Sequence, residues 1–303
     1  MKGRSFFKPL GVAALFLILL GGASLLHAQS KLDEARIDFS NKDYLQAAEL
    51  YKQALQEKPK EAKILTETGD VYMVLEFYDT ARIMYQRAYD QDSRNGLINR
   101  KLGTALSLLG QHDEAIEKLR RAYKYEDESI DVQLALADAY IRIGTDSLEK
   151  AQIAILQADK KFPNNPRVKV ALGDLYFKRG VYELAVTYYK QAIDLDPSLI
   201  EPRIHLGEVL RERGKREKDP QYYIEALEQF KYVTEVAPKE PVPWRQMAEI
   251  LYLMGRYEEA LYALKEYIRL RPDDPQGNFL FARIAADGQF FTEAIEPALQ
   301  ILS

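Results

Sequence analysis

Eight alanines, Ala47, Ala81, Ala115, Ala151, Ala185, Ala226, Ala260 and Ala294, divide the 303-residue chain at intervals of 34, 34, 36, 34, 41, 34 and 34. A near-constant interval of this size means that one small unit is repeated, and such a unit can bury its apolar side only by stacking on its neighbours. A second series runs in phase with the first: Gly69, Gly103, Gly173 and Gly207, with Ala137, Ala248 and Ala282 as small alternatives. Pro59, Pro163, Pro197, Pro238 and Pro272 form a third series at unit ends.

The stretch from Leu172 to Pro197 reads most clearly, with apolar and small residues at helical spacing on both sides of Gly180. Two amphipathic helices joined by a tight turn follow. Leu172, Gly173 and Tyr176 share a face of the first helix, Ala185, Tyr189 and Ala192 a face of the second, and Pro197 ends the unit because proline cannot continue a helix. From Pro166 to Leu199 the residues resemble the tetratricopeptide repeat, which carries a large residue at position 4, Leu-Gly at 7 and 8, Tyr at 11, Ala at 20, an aromatic at 24, Ala at 27 and Pro at 32. Lys169, at the large-residue position, is the departure. The resemblance runs from about Leu32 onward and implies an all-α, right-handed superhelical solenoid of about eight helix-turn-helix repeats. Their expected spans are near residues 28–61, 62–95, 96–129, 130–165, 166–199, 200–240, 241–274 and 275–303.

The small residues have a mechanical task, since backbones approach closely only where a side chain is glycine or alanine. Tyr72, Tyr140 and Tyr176, with Tyr44, Tyr78, Tyr182 and Tyr257, are expected to fill the space they leave. Both irregular intervals fall between the two helices of a unit, where insertions are tolerated. After Gly144, Asp146 and Glu149 are expected to form a capping box; after Gly214, residues Lys215 to Pro220 are expected to form a charged loop, with Asp219 capping the next helix and Pro220 in its first turn.

Residues 1–28 read as a signal peptide: Lys2, Arg4 and Lys8, an apolar stretch from Leu10 to Leu20, then Leu26-His27-Ala28 as a cleavage site. The alternative is an uncleaved anchor, giving membrane association through residues 9–30, since no charge falls between Lys8 and Lys31. Either reading leaves the repeats, residues 29–303, on the outer side of the membrane; the periplasm or the exterior is expected, with anchorage in an inner membrane as the alternative. Cleavage would take the net charge from -4 to -7, because the leader carries three basic residues. At the other end, Leu299 and Leu302 are expected on an apolar surface with no polar cap, a route to self-association.

No chemistry emerges beside the repeat. Zero cysteines exclude disulfides and thiolate metal sites. His27, His112 and His205 show no metal-ligand spacing, and the glycines follow the repeat rather than a nucleotide loop. His205 and Glu208 read as a solvated pair three residues apart on one helix. No enzyme, cofactor, metal or nucleic-acid partner is expected, and charge is balanced at 42 basic against 46 acidic residues.

What remains is a binding face. In the family resembled, positions 2, 5, 9 and 12 of each first helix line the inner surface. Here they give Leu134, Asp138 and Ile141, then Val170, Asp174 and Phe177, then Ile204 and Glu208 followed by Arg211. An apolar rail beside an acidic one would take a protein segment alternating apolar and basic residues; packing between neighbouring helices is the competing account. Chaperone-type capture of a C-terminal carboxylate is not expected, because Thr104 and Ala135 stand where that subgroup has asparagines, despite Arg100 and Lys101. The expected role is a protein-protein interaction scaffold outside the cytoplasm, in assembly of a cell-envelope complex; an escort of extended chains and a targeting or regulatory subunit of a separate enzyme are alternatives.

Overall fold

The computed structural model describes residues 31–126, 129–272 and 274–290. The leader with its cleavage site, Ala294, Leu299 and Leu302 lie outside the described residues. All regular structure among the described residues is helical, and no helix there is long and apolar enough to cross a membrane.

The chain divides into two units, Met1–Ile143 and Gly144–Ser303. The first contains α1 (31–40), α2 (Tyr44–Glu57), α3 (Ala62–Val74), α4 (Tyr78–Gln91), α5 (Gly96–Leu108), α6 (His112–Tyr125) and α7 (Ile130–Ile143). The second contains a 3-10 turn (Thr145–Ser147), then α8 (Leu148–Lys161), α9 (Pro166–Lys178), α10 (Tyr182–Leu195), α11 (Glu201–Glu217), α12 (Pro220–Val236), α13 (Pro241–Leu253), α14 (Tyr257–Leu270) and α15 (Pro275–Asp287). Odd-numbered helices are the first members of each pair and even-numbered helices the second. Helix starts follow from local chemistry: Asn95, Asn165, Asp219 and Asp274 accept from backbone N–H groups one turn in, and prolines stand in the first turn of α9, α11, α12, α13 and α15, where no N–H is needed.

Within each unit the helices pair in chain order, α3 on α4 and α5 on α6 in the first, α9 on α10, α11 on α12 and α13 on α14 in the second. Close approach is set by the small residues. A β-carbon on Gly69 would lie 2.4 Å from Cε1 of Tyr85, one on Gly103 2.7 Å from Cγ of Leu119, one on Gly173 2.4 Å from Cε1 of Tyr189, and one on Gly207 2.6 Å from Cζ of Phe230. The fillers are therefore the buried Tyr85, Leu119, Tyr189 and Phe230 of the second helices, rather than Tyr72, Tyr140 and Tyr176 or Tyr44, Tyr78, Tyr182 and Tyr257. Those tyrosines pack elsewhere: Tyr176 stacks on Tyr188 with centroids 5.4 Å apart, and Tyr182 lies 5.9 Å from Phe177.

Two local expectations are corrected. Asp146 and Glu149 do not form a capping box, because Gly144 at φ 103° leads into the 3-10 turn, which places Asp146 inside it; Ser147 precedes α8 and makes no side-chain cap. The residues after Gly214 are mostly helix, since α11 continues to Glu217 and both α11 and α12 run 17 residues against 13 for α9 and 14 for α10. The Arg213–Glu217 pair, 3.0 Å long at i, i+4, supports the added turn, and Lys218 then reverses the chain at φ 57°. Asp219 and Pro220 stand as cap and first-turn residue, as their types imply.

Candidate functional site

Each first helix places its ninth residue next to the small eighth one. In the first unit Asp70 follows Gly69, and in the second Asp174 follows Gly173. Because the eighth residue lets a large ring sit against the backbone, a tyrosine there delivers its hydroxyl to the neighbouring carboxylate. Tyr85 Oη donates to Asp70 Oδ1 at 2.7 Å, and Tyr189 Oη donates to Asp174 Oδ1 at 2.6 Å. A second donor comes from the sixth residue of the next first helix: Lys101 Nζ to Asp70 Oδ1 at 2.5 Å, and His205 Nδ1 with Asp174 Oδ1 at 2.8 Å. Arg36 and Glu67 span the same register with polarity reversed, at 3.1 Å.

Burial pushes the phenols of Tyr85 and Tyr189 far above their ordinary range, and Asp70 and Asp174 add to it, so both remain donors. For His205 burial pulls the pKa down, but the hydrogen bond and charge of Asp174, with Glu208 and Glu201, push it up to about 9. Its ring stands edge-on to Tyr189, centroids 5.6 Å apart at 80°. His205 is thus committed to Asp174 rather than solvated beside Glu208.

The expected rail residues fall into two groups. Leu134, Asp138 and Ile141 lie on α7 in the first unit, Leu134 and Ile141 half-buried, and Asp138 is paired with Arg142 at 2.8 Å. In the second unit Val170 is only 4% exposed and belongs to the core, which corrects its placement on the binding face; neighbours on α10 and α11 enclose it. Phe177 and Ile204 are half-buried against the same core and keep an open side, while Asp174 and Glu208 are partly exposed. Sequence reading missed a charge network on α11 and α13: Arg211 bonds Glu249 and Glu212, and Arg245 bonds Glu249 at 3.1 Å. In the first unit Arg100 is held by Glu126 at 3.1 Å and Lys101 by Asp70, so neither is free to capture a carboxylate. Among the described residues no cluster of His, Asp or Glu has the form of a metal site.

Helix pairs with a small eighth residue and a large partner across from it, repeated about every 34 residues, define a helical repeat protein. Tetratricopeptide-repeat models match residues 32–96 and 244–302, 106–175 and 173–214, and the chain belongs to the tetratricopeptide-repeat family. Superkiller complex protein 3 of Mus musculus is 25% identical over 259 residues, covering 81% of this chain but 16% of that protein. Among solved structures, a tetratricopeptide repeat protein from Parabacteroides merdae has a TM-score of 0.60 at 14% identity, over 85% of this chain and 98% of that one. Yeast Tom70 has a TM-score of 0.65 at 19% identity, over 90% of this chain and 56% of that one. These likenesses are of fold. Proteins of this family are in general protein-protein interaction scaffolds, and the repeat itself is typically non-enzymatic.

Proposed function

We propose that this chain is a non-catalytic scaffold, exported by its leader, whose second unit holds a segment of a partner protein along the first helices α9, α11 and α13 in assembly of a cell-envelope complex. One observation carries the site: these three helices place carboxylates Asp174, Glu208 and Glu249 at one register, with half-buried Phe177 and Ile204 beside them on α9 and α11. Apolar anchors supply affinity by leaving water, while the charges set register and approach rate. The export reading rests on Lys2, Arg4 and Lys8, the apolar run after them and Leu26-His27-Ala28.

Purification of the tagged chain from cells after mild crosslinking tests the role. A scaffold brings down a fixed set of envelope proteins in stoichiometric amounts. Many substoichiometric unfolded clients, or one cytoplasmic enzyme, would contradict it.

A further inference from the structure

The ninth-position carboxylates are not all alike. Asp70 and Asp174 each have two internal donors, Asp138 has Arg142, and Glu249 has Arg211 and Arg245. Glu208 has none: among the described residues it makes no hydrogen bond and no ion pair. Both of the usual donors are replaced at this rung, as they are by Ile155 and Ala171 at Asp138 and by Leu264 and Leu280 at Glu249, but there arginines bond the carboxylate and here none does. The ring that packs over Gly207, where Tyr85 packs over Gly69 and Tyr189 over Gly173, is Phe230, which has no hydroxyl. The residue at the sixth position of α13's repeat, where Lys101 and His205 stand in theirs, is the neutral Gln246. Its Oε1 is buried and accepts no hydrogen bond among the described residues, an arrangement costly to leave unmade and relieved by a turn of the amide toward a donor.

Glu208 is partly buried among charges of both signs, none of which is bonded to it. Burial raises the Glu208 carboxyl above its ordinary range; the fields of His205 and Arg211 pull it back, and those of Asp174 and Glu212 raise it again. His205 and Arg211 are already bound, to Asp174 and to Glu249 with Glu212. No internal cation hydrogen-bonds Glu208, although Nε of Arg211, one turn further on, has no partner among the described residues, and the half-buried Ile204 lies one turn back on the same helix.

We propose that Glu208 takes a cationic side chain of the bound protein segment, arginine above lysine, in the place that Tyr189 and His205 fill for Asp174, its two carboxylate oxygens the acceptors. Arginine is favoured because its planar fork can donate to two acceptors at once, whereas lysine offers a point charge. This rests on the proposed binding role of the second unit and names what that site reads.

The probe is a fluorescein-labelled peptide alternating leucine with arginine, and its twin with citrulline, the neutral isostere, in place of every arginine. The full chain should bind the arginine peptide at least about tenfold more tightly. Glu208→Gln should bring the two to parity, while Glu228→Gln on the exposed side of α12 leaves the preference intact. Gln246→Lys should supply the missing internal cation, raising the unfolding midpoint as it abolishes the preference, so that lost binding is separated from lost folding. Equal binding of the two peptides, no binding of either, or a preference that survives in both Glu208→Gln and Gln246→Lys overturns the proposal. Loss of the scaffold role itself is read independently, from the partners recovered in cells.

Discussion

Tyr189 Oη donates to Asp174 Oδ1 at 2.6 Å from the second helix of the repeat to the first, and His205 reaches the same oxygen from the helix after that. One carboxylate thus ties three helices, α9, α10 and α11, at a point where the apolar core of the second unit meets its partly exposed face. Reversing the charge of Asp174 would therefore break a packing contact as well as alter the binding face.

Because the His205 pKa is raised, from 6.5 to about 9, the proton is held more tightly in the folded chain than in the unfolded one. The stability this gives is fully present below about pH 6.5 and is lost as pH rises through about 9. Asp174→Asn should remove the support and let burial lower the His205 pKa. NMR titration of the imidazole, assigned with His205→Gln, checks the shift; an unchanged value in Asp174→Asn would contradict the account. Tyr189→Phe should cost about 1.5–3 kcal/mol in denaturant unfolding, as for a hydrogen bond to a charged group.

Gly173 and Gly180 sit in one repeat and should respond to alanine for different reasons. At Gly173 the new β-carbon meets the Tyr189 ring at 2.4 Å, an overpacking that costs about 1–3 kcal/mol. At Gly180 nothing lies within 4 Å, but φ is 72°, so the cost is backbone strain of about 1 kcal/mol. Urea melts of the two variants should rank Gly173→Ala as the more damaging. A crystal structure of it should show the Tyr189 ring displaced.

Lys42 holds the corresponding turn position of the first repeat at φ 66°, where Gly110, Gly180 and Gly255 stand in later ones. Lys42→Gly should stabilise the first unit by up to about 1 kcal/mol, since relief of the left-handed strain exceeds the added freedom of the unfolded chain. Thermal unfolding checks this, and a lowered midpoint would show the strain to be compensated elsewhere.

The repeat was legible in the sequence because its glycines, alanines and prolines mark close approaches and helix ends directly. Pro220 and Asp219, for example, could be placed from residue type alone. The extra turn of α11 was not, because Lys215, Arg216 and Glu217 carry no apolar period; the Arg213–Glu217 pair lies along that turn. The inner face was legible as a register and not as chemistry. Val170 fits the rail by spacing yet is enclosed by the core, and the two donors of Asp174 lie 15 and 31 residues away on two other helices. The exceptional state of Glu208 emerges only when Phe230 and Gln246 are set against Tyr189 and His205 in space.

Export carries its own test. Intact-mass measurement of the chain recovered from cells should give a mature form beginning at Gln29, after Ala28. A membrane-bound form retaining residues 1–28 would replace the signal peptide by an anchor.

Site-specific photocrosslinking in living cells tests the central claim most directly. A photoreactive residue is placed at Glu201, exposed at the start of α11, and in parallel at Glu228, exposed on α12. Partner crosslinks are predicted from position 201, at least several-fold over position 228, and the crosslinked segment should carry arginine or lysine among apolar residues. Crosslinks from position 228 alone, or equal yields from both, would contradict binding along the first helices of the second unit.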